Sequence, residues 1–214
     1  MRLSFVAAAL LSAVALAAPA HAAGLSGMGL NLFGNYFHFG KPNLEKPPVK
    51  TITAGGLRMQ LQHTKLADIR KVFGGTIQTQ GDNKTLVNWL CYQTDGANPT
   101  DTWFISNILG GGEFVMIVAV QAASPGRIPG DCEPASKKFA APNMGIPGIG
   151  ASSDDMRKAF GAVSGNTVAY RADEPGADAL GTASNAQYIG YILQGGRVVG
   201  YGAGETSVPA PPKD

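Results

Sequence analysis

Histidine, cysteine and segregated charge are all scarce in this sequence, and each shortage excludes a class of function. The 214 residues include 3 histidines and 2 cysteines, and the formal net charge is only +2. Basic and acidic residues are mixed along the chain, without a basic run or the interleaving of arginine with aromatics that grips nucleic acid. No cluster of histidine, cysteine and acidic residues has the fixed spacing of metal ligands. We therefore expect no nucleic-acid partner, no metal site and no cofactor.

The signatures of common enzyme classes are also lacking. There is no Gly-x-Ser-x-Gly elbow and no Ser-x-x-Lys pair, which mark serine hydrolases and penicillin-recognising enzymes. The glycine-rich runs lack Gly-x-x-x-x-Gly-Lys and lie between predicted strands, which is the wrong context for a phosphate-binding loop. Adjacent acids such as Asp154 and Asp155 more often cap a helix than act as an acid–base pair. We assign no catalytic residue and predict that the protein is not an enzyme; a hydrolase is the less favoured alternative.

The N-terminus carries a pronounced apolar run. Arg2 precedes an apolar stretch that extends to about Ala18, and Ala20-His21-Ala22 follows it. A positive start, a short apolar stretch and an Ala-x-Ala site are the parts of a secretory signal peptide, so we predict cleavage after Ala22. A retained membrane anchor is the alternative, but the run is short for a span of about 20 residues. We expect an exported protein, periplasmic or secreted, with no transmembrane segment in the mature chain.

The two cysteines, Cys91 and Cys132, both lie in the part predicted to be exported. An even count in an oxidising compartment predicts a disulfide. A redox pair is the alternative, but such pairs usually form Cys-x-x-Cys at the start of a helix, which these two do not. The sequence therefore predicts a structural bridge.

Two segments of the chain recur in the same order. Asp68–Gly74 (DIRKVFG) returns as Asp155–Gly161 (DMRKAFG), and Ile108–Val115 (ILGGGEFV) returns as Ile192–Val199 (ILQGGRVV). Two matching landmarks at similar internal spacing indicate two copies of one structural unit.

Each copy begins with the pattern of a short helix. After Thr64, which suits an N-cap, Leu66 and Phe73 belong to one apolar stripe, and a Gly-Gly pair ends the helix. In the second copy Ser152 and Asp155 have the spacing of a capping box. Strand-like runs follow each helix, and their last two members are joined by a Gly-Gly pair, which is a strong hairpin signal. These runs are Thr85–Gln93, Thr102–Leu109, Glu113–Gln121, Thr167–Ala172, Ala186–Leu193 and Arg197–Gly202.

The sequence thus predicts an α+β protein of two tandem units, each a short helical segment packed on an antiparallel β-sheet. A Gly/aromatic arm, 24–40, and a Pro-rich linker precede the first unit; the arm could form a strand hairpin or remain mobile. The predicted boundaries are 1–22 for the signal peptide, 23–50 for the arm and linker, 51–123 for the first repeat, 124–148 for a Gly/Pro-rich connector, 149–208 for the second repeat and 209–214 for a tail.

The glycine pair of the first copy sets its predicted strand register. With Gly111 and Gly112 at the centre of a two-residue turn, facing residues share one side of the sheet. The facing pairs are then Leu109 with Phe114, Ile105 with Val118, and Trp103 with Val120. This side is almost wholly apolar, so we assign it to the core beneath the helix.

The second glycine pair sets a similar register, with Leu193 opposite Val198, Tyr191 opposite Gly200, and Tyr201 opposite Gly190. In both copies the other side of the sheet is half apolar and carries aromatic residues. Rigid aromatics and an arginine are typical anchors for a protein partner, so this side is a predicted binding surface. Burial against the other copy or the arm is the alternative. The candidate contact residues are Phe104, Ile108, Tyr188, Arg197 and Tyr201.

The repeated unit resembles two related families of exported proteins. The matching residues are Asp68–Gly74 and Gly150–Gly161, where a capped short helix ends in Phe-Gly before several antiparallel strands. One family is the beta-lactamase inhibitory protein, with tandem helix-on-sheet repeats. The other is the outer-membrane-assembly lipoprotein of the small protein A type, with one such unit. This chain has no lipid-anchor cysteine and no counterpart of the inhibitor's contact loop. The resemblance implies a non-enzymatic binding fold whose sheet surface meets a protein.

Together these observations predict an exported, non-enzymatic protein-binding module, either inhibitor-like or an envelope-assembly partner. Its expected partner is another exported or envelope protein, bound through the aromatic sheet face. The alternative is a structural or envelope factor that acts through its N-terminal Gly/aromatic arm.

Overall fold

A computed structural model of the chain describes residues 24–35, 40–175 and 183–209, so the predicted signal peptide lies outside the described residues. The protein is an α+β fold in which antiparallel pairing dominates. Within the described part, no helix is both long and apolar enough to cross a membrane. In chain order the elements are α1 (Gly27–Asn35), β1 (Ile52–Ala54), β2 (Leu57–Met59), α2 (Leu66–Phe73), β3 (Gln78–Gln80), β4 (Val87–Gln93), β5 (Thr100–Asn107), a 3-10 turn (Ile108–Gly110), β6 (Ile117–Ala122), β7 (Glu133–Pro134), α3 (Ser153–Phe160), β8 (Thr167–Pro175), β9 (Ala183–Gln194) and β10 (Arg197–Pro209).

The helices α2 and α3 begin and end in the same way. In each, an aspartate of the first turn accepts a hydrogen bond from the N-cap backbone: Asp68 from the Lys65 N–H (3.3 Å) and Asp155 from the Ser152 N–H (2.9 Å). Each ends at a glycine in the positive-φ region, at 84° after α2 and 85° after α3. The two predicted short helices are confirmed, although the N-cap of α2 is Lys65 and not Thr64 as predicted.

The strands that follow the two helices share one continuous sheet. Its order is β3-β4-β5-β6-β10-β9-β8, and every neighbouring pair along this order is antiparallel. β7 adds a short parallel pairing to β4, while β1 and β2 form a separate hairpin. The join between the two halves is the β6–β10 pairing, where Val120 lies opposite Tyr201.

The two faces of this sheet are covered by different helices. α2 and α3 pack on one, the α2/α3 face, through apolar residues that include Ile69, Phe73 and Met156. α1 packs on the opposite one, the α1 face, through Met28 and Leu32. Because both faces are buried, apolar residues occupy consecutive positions in the central strands instead of alternating with polar ones.

The connection between β5 and β6 differs from the predicted turn. β5 ends at Asn107, and the 3-10 turn follows before β6 begins. Ile105 lies opposite Ile117, and Trp103 lies opposite Ala119. The predicted register is therefore wrong by one residue, because the connection is longer than two residues. Trp103 and Ile105 consequently lie on the α1 face and not beneath α2.

The β9–β10 hairpin follows the prediction only near its turn. Leu193 lies opposite Val198, as predicted. A β-bulge between Val198 and Gly200 then moves the following side chains of β10 to the other face. Tyr201 lies opposite Tyr191, and the two rings stack with centroids 6.1 Å apart. The predicted pairing of each tyrosine with a glycine is wrong.

The described part of the N-terminal arm forms the helix α1, packed against glycines of the sheet. A Cβ on Gly190 or Gly202 would come within 2.7 Å or 2.4 Å of a methyl group of Leu32. A Cβ on Gly29 would come within 2.7 Å of the Trp103 ring. Only glycine allows this close approach, so the packing of α1 on the sheet requires glycine at these positions. Neither a strand hairpin nor a mobile arm describes this segment.

The predicted disulfide is confirmed: Cys91 on β4 is bonded to Cys132, 41 residues further on. A loop of this length stabilises the fold by about 4 kcal/mol on the chain-entropy account. The neighbouring Asp131 carboxylate accepts hydrogen bonds from the Ser26 N–H (3.0 Å), the Ser26 hydroxyl (2.6 Å) and the Trp103 indole N–H (2.9 Å). The bridged segment therefore also holds the start of α1.

Candidate functional site

The five predicted contact residues do not lie on one surface. Phe104 and Tyr201 are buried on the α2/α3 face, whereas Tyr188 is buried on the α1 face. Of the five, only Ile108 and Arg197 are exposed, and they lie in different connections between strands. Phe104 and Tyr201 lie on the α2/α3 face because the predicted register is wrong. Tyr188 is buried because α1 covers the opposite face. Binding through Ile108 or Arg197 stays a prediction.

The β5–β6 connection forms an ordered loop, residues 107–114, which we call the apolar loop. The Asn107 side-chain oxygen accepts hydrogen bonds from the backbone N–H groups of Leu109 (3.0 Å) and Gly110 (3.2 Å). This is the geometry of a side chain that caps a short helical turn. Because the cap comes from a residue that is itself 4% exposed, the start of the loop is fixed to the sheet.

Glycines and a neighbouring strand fix the rest of the apolar loop. Gly111 and Gly112 have φ values of 61° and 71°, in the left-handed region that favours glycine. A Cβ on Gly110 would come within 2.8 Å of Met116 Cγ, so the backbone is closely packed there. The Asn88 side-chain amide on β4 donates a hydrogen bond to the Gly112 carbonyl (2.8 Å). The apolar loop is therefore anchored along its length.

This anchored loop exposes two large apolar side chains. Ile108 is 46% exposed and Leu109 is 55% exposed. Among the described residues, the other exposed large apolar side chains, Leu30, Val72 and Ile128, are separated from one another in the sequence. The apolar loop is thus the place in the described chain where two such side chains are adjacent.

A charged pair flanks the apolar loop and ties it to α2. Lys65 Nζ lies 2.7 Å from Glu113 Oε2 and 5.1 Å from the centre of the Phe114 ring. The hydrogen bond to Glu113 raises the pKa of Lys65. The Leu66 N–H at the start of α2 donates to the Glu113 carbonyl (2.9 Å). Apolar side chains surrounded by a polar rim are the usual anatomy of a protein contact site.

A polar cleft with a cavity volume of about 260 Å³ lies near the apolar loop, between the Pro-rich linker, residues 60–63 and strands β8 to β10. Its more buried lining residues include Leu61, Gln187 and Glu205. Its exposed lining includes Lys50, His63 and Glu174.

The Glu205 carboxylate in the polar cleft is held by two amide groups. Its Oε1 accepts a hydrogen bond from Gln62 Nε2 (3.1 Å), and its Oε2 accepts one from Gln187 Nε2 (3.0 Å). Gln187, which is 2% exposed, also accepts from the Val49 N–H (2.9 Å) and donates to the Val49 carbonyl (2.8 Å). The turn that contains Gln62 and strand β9 therefore meet at this carboxylate, and Gln187 joins them to the linker.

One of these amides belongs to a residue with an unusual backbone. Gln62 has φ 63° and is the one non-glycine residue of the described chain with a positive φ. Such a conformation costs about 1–3 kcal/mol and is kept where surrounding contacts enforce it, often at binding sites. The Gln62 N–H donates to the Val115 carbonyl (2.8 Å), and its side chain reaches Glu205. These two contacts hold the residue in place.

Burial is the main influence on the electrostatics of the polar cleft. It raises the pKa of Glu205, and the nearby charge of Glu174 raises that pKa further. The hydrogen bond from Gln187 and the nearby His63 act in the opposite direction. A cation or a hydrogen-bond donor that entered the cleft would stabilise the ionised carboxylates.

Backbone hydrogen bonds connect the apolar loop to the polar cleft. Just after the loop, Val115 N–H donates to the Thr64 carbonyl (2.8 Å), and the Val115 carbonyl accepts from Gln62. One residue further, the Met116 carbonyl accepts from the Glu205 N–H (2.9 Å). The loop and the cleft therefore lie side by side at one end of the sheet.

Sequence reasoning missed the polar cleft. Its residues come from the linker, a turn and three strands, so no local spacing marks them. A positive φ at Gln62 has no signature, because glutamine is not a residue that favours it. The apolar loop did carry a signal, since an asparagine before a short segment is a common side-chain cap, and Asn107 precedes the glycine-rich run.

No family model, curated protein or solved structure matches this chain. The predicted resemblance to the two families of exported proteins therefore stays a prediction. Within residues 24–35, 40–175 and 183–209, no group of three or more histidine, cysteine, aspartate or glutamate side chains could hold a metal ion.

Proposed function

We propose that this chain is an exported, non-enzymatic protein-binding module that presents the apolar loop to another exported or envelope protein. The observation that carries the proposal is a pair of adjacent apolar side chains, Ile108 and Leu109, held in water by a backbone that Asn107 caps. Nothing in the packing of the sheet requires those two side chains to point outward. A partner that covers Ile108 and Leu109 would remove these apolar side chains from water, and this accounts for their exposure in the unbound protein.

The energetics of such a loop favour binding. Burial of one leucine or isoleucine side chain contributes about 1.5–3 kcal/mol relative to full exposure, and the two here begin about half exposed. A loop that already has its bound shape loses little conformational entropy on association. The ion pair of Lys65 and Glu113 supplies a polar rim that excludes water from the contact.

Export to the periplasm or the medium rests on two features. The sequence before Ala23 has the pattern of a signal peptide. The disulfide between Cys91 and Cys132 is of the kind that persists in oxidising compartments and is rare in the cytosol. A partner of this protein is accordingly sought among exported and envelope proteins.

We further propose that the chain consists of two copies of one unit, divided as the sequence predicts at residues 51–123 and 149–208. The equal length of α2 and α3 and their identical ends, Phe73-Gly74 and Phe160-Gly161, support this. So does the sheet, in which four consecutive antiparallel strands, β3 to β6, come from the first half and three, β8 to β10, come from the second. The same arrangement supports the proposed resemblance to the beta-lactamase inhibitory protein and small protein A families.

The alternative function, through the N-terminal arm, has less support. Met28 and Leu32 of α1 are buried on the sheet, and Asp131 holds the start of the helix. The described part of the arm would have to leave this groove before it could meet a partner. The apolar loop needs no such rearrangement.

The proposal is tested with a double substitution, Ile108→Asp together with Leu109→Asp. Affinity capture from an envelope extract should recover a partner with the wild type and at least about tenfold less with this variant, because two charged groups would enter an apolar contact. Both side chains are exposed, so circular dichroism should show an unchanged fold.

The control is Ile128→Asp, which introduces one such charge at another exposed apolar residue that is 44% exposed. It should capture the partner as the wild type does. Equal loss with the control would mean a general effect of charge, and equal capture with the loop variant would refute the assignment of the apolar loop.

A further inference from the structure

The polar cleft lies at the same end of the sheet as the apolar loop. The chemistry of its lining indicates which side chain of a partner would bind there. We propose that the polar cleft receives a lysine or arginine side chain of the protein that contacts the apolar loop. This inference rests on the proposed function and names the chemistry of its partner.

The first argument is continuity between the two features. Phe114, the last residue of the apolar loop, forms a β-bridge with Lys65. The next two carbonyl groups, of Val115 and Met116, accept backbone hydrogen bonds from Gln62 and Glu205 at the polar cleft. Two steps along an extended strand cover about 7 Å, so one segment of a partner can reach both features. An apolar group of that segment would cover Ile108, and a nearby side chain would enter the cleft.

The second argument is size. A cavity of about 260 Å³ is smaller than the pockets of about 300–1,000 Å³ that enclose a drug-sized ligand. It is open to solvent on the side formed by Lys50, His63 and Glu174, which are all exposed. A single long side chain fits this shape, with its methylene groups against Leu61 and its charged end at the Glu205 and Glu174 carboxylates.

The third argument is charge. The Glu205 carboxylate accepts hydrogen bonds from two neutral amides, those of Gln62 and Gln187, which orient it. Glu174 adds a second carboxylate at the opening, and its charge acts on Glu205. An ammonium or guanidinium group between the two would gain charge-assisted hydrogen bonds and relieve their mutual repulsion.

Two basic residues line the same opening, and the charge of Lys50 acts against such a ligand. Lys50 and His63 are both exposed at the cleft. Removal of the Lys50 charge should therefore strengthen the binding of a cation, whereas removal of the Glu174 charge should weaken it. A general loss of structure would weaken cation binding in both variants, so opposite effects of the Lys50 and Glu174 substitutions would indicate a direct effect of charge.

The test uses small probes in place of the partner's side chain: N-acetyl-lysine amide and N-acetyl-arginine amide, with N-acetyl-glutamine amide as the uncharged control. Each is titrated into the mature protein, and the side-chain amide signals of Gln62 and Gln187 are followed by NMR. We expect saturable shifts with a dissociation constant on the order of 1 mM for at least one cationic probe and none for the control. Absence of saturable shifts with both cationic probes would overturn the inference.

Variants separate the cleft from general charge effects. Glu174→Gln should weaken probe binding about tenfold and Lys50→Gln should strengthen it about threefold, while Asp95→Asn, at an exposed site outside the lining of the cleft, should change nothing. Glu205→Gln removes the other carboxylate charge and should also weaken binding. Equal weakening by Glu174→Gln and Asp95→Asn would contradict the assignment.

Capture of the partner distinguishes failure of this inference from failure of the proposed function. If Glu174→Gln weakens probe binding but leaves partner capture unchanged, the cleft binds a free amine and the assignment of a partner side chain is wrong. If the loop variant leaves capture unchanged, the proposed function fails, whatever the probes show. Both the loop variant and Glu174→Gln should weaken capture if the two proposals are correct.

Discussion

The β5–β6 and β9–β10 connections both contain a Gly-Gly pair, yet one forms the apolar loop and the other a tight turn. In the first, the chain leaves β5 at Asn107 and does not enter β6 until Ile117. In the second, only Gly195 and Gly196 separate Gln194 from Arg197, which lie opposite each other. The first connection carries exposed apolar side chains, and the second holds its leucine, Leu193, in the core.

The residue before the shared Ile-Leu pair explains this difference. In the first connection it is Asn107, whose side chain accepts two backbone N–H groups and starts a 3-10 turn. In the second it is Tyr191, whose ring is buried against Tyr170 and Tyr201, so its backbone stays in the strand. One side chain can thus decide whether a glycine pair closes a hairpin or extends a loop.

The largest expected effect comes from the β-bulge that follows the tight turn. Because the bulge places Tyr201 in the core, where its hydroxyl donates to the Pro142 carbonyl (3.0 Å), Tyr201→Ala should lower the free energy of unfolding by about 3–5 kcal/mol. Arg197→Ala, on the exposed part of the same hairpin, should change it by less than about 0.5 kcal/mol. Urea unfolding measures both, and equal small effects would contradict the observed register.

The next effect concerns the cap of the apolar loop. Asn107→Ala removes two hydrogen bonds from a buried side chain and should lower the free energy of unfolding by about 1–2 kcal/mol. The amides of Leu109 and Gly110 should also exchange their hydrogens faster, because they lose their acceptor. Hydrogen exchange followed by NMR tests this, and unchanged protection at both amides would show that Asn107 does not hold the loop.

A matched pair of substitutions compares the two glycine pairs directly. Gly111 and Gly195 have φ values of 61° and 57°, and a Cβ on either would meet no atom within 4 Å. Gly111→Ala and Gly195→Ala should each cost about 1 kcal/mol, since only the backbone conformation opposes them. Thermal or urea unfolding of the two variants provides the comparison. A difference of more than about 1 kcal/mol between them would mean that their surroundings, and not φ, set the cost.

The smallest expected effect on the free energy of unfolding depends on pH and concerns Glu205 on β10. Burial raises the pKa of Glu205 above its ordinary value of 4.5, so the native state binds this proton more tightly than the unfolded chain does. The stability that this group contributes is fully present below pH 4.5 and is lost as the pH rises through the native pKa. Glu205→Gln should therefore raise the free energy of unfolding at pH 7, by less than about 1 kcal/mol because the group is only partly buried.

Urea unfolding at pH 7 and again near pH 4 checks this sign. The gain from Glu205→Gln should shrink at the lower pH, where the wild-type carboxyl is already protonated. Asp95→Asn, at an exposed aspartate, is the control and should show little change at either pH. A variant that is less stable than the wild type at pH 7 would mean that the ionised carboxylate stabilises the fold.

The sequence predicts the parts of this fold whose signals are local. The helix stripe of Ile69 and Phe73 and the capping box of Ser152 are read within one or two turns, and both helices form as predicted. The bridge between Cys91 and Cys132 was predicted from the even cysteine count and the predicted export, and it is present. The α+β class follows from the same signals.

The parts that the sequence does not predict depend on distant or single-residue effects. The bulge after Val198 shifts Tyr201 by one position, and a shift of one position exchanges the faces of a strand. The helix α1 owes its place to glycines of strands more than a hundred residues away, such as Gly190 under Leu32. Three of the five candidate contact residues, Phe104, Tyr188 and Tyr201, are therefore buried. Ile108 is the candidate that lies in the exposed apolar loop.

The most direct measurement is site-specific photo-crosslinking in the native compartment. A photoreactive amino acid is placed at Leu109 in the apolar loop and, in a second variant, at Ile128, which is similarly exposed elsewhere. The account predicts a covalent adduct with a discrete exported or envelope protein from position 109 and none from position 128. Adducts of equal yield from both positions, or from position 128 alone, would contradict it.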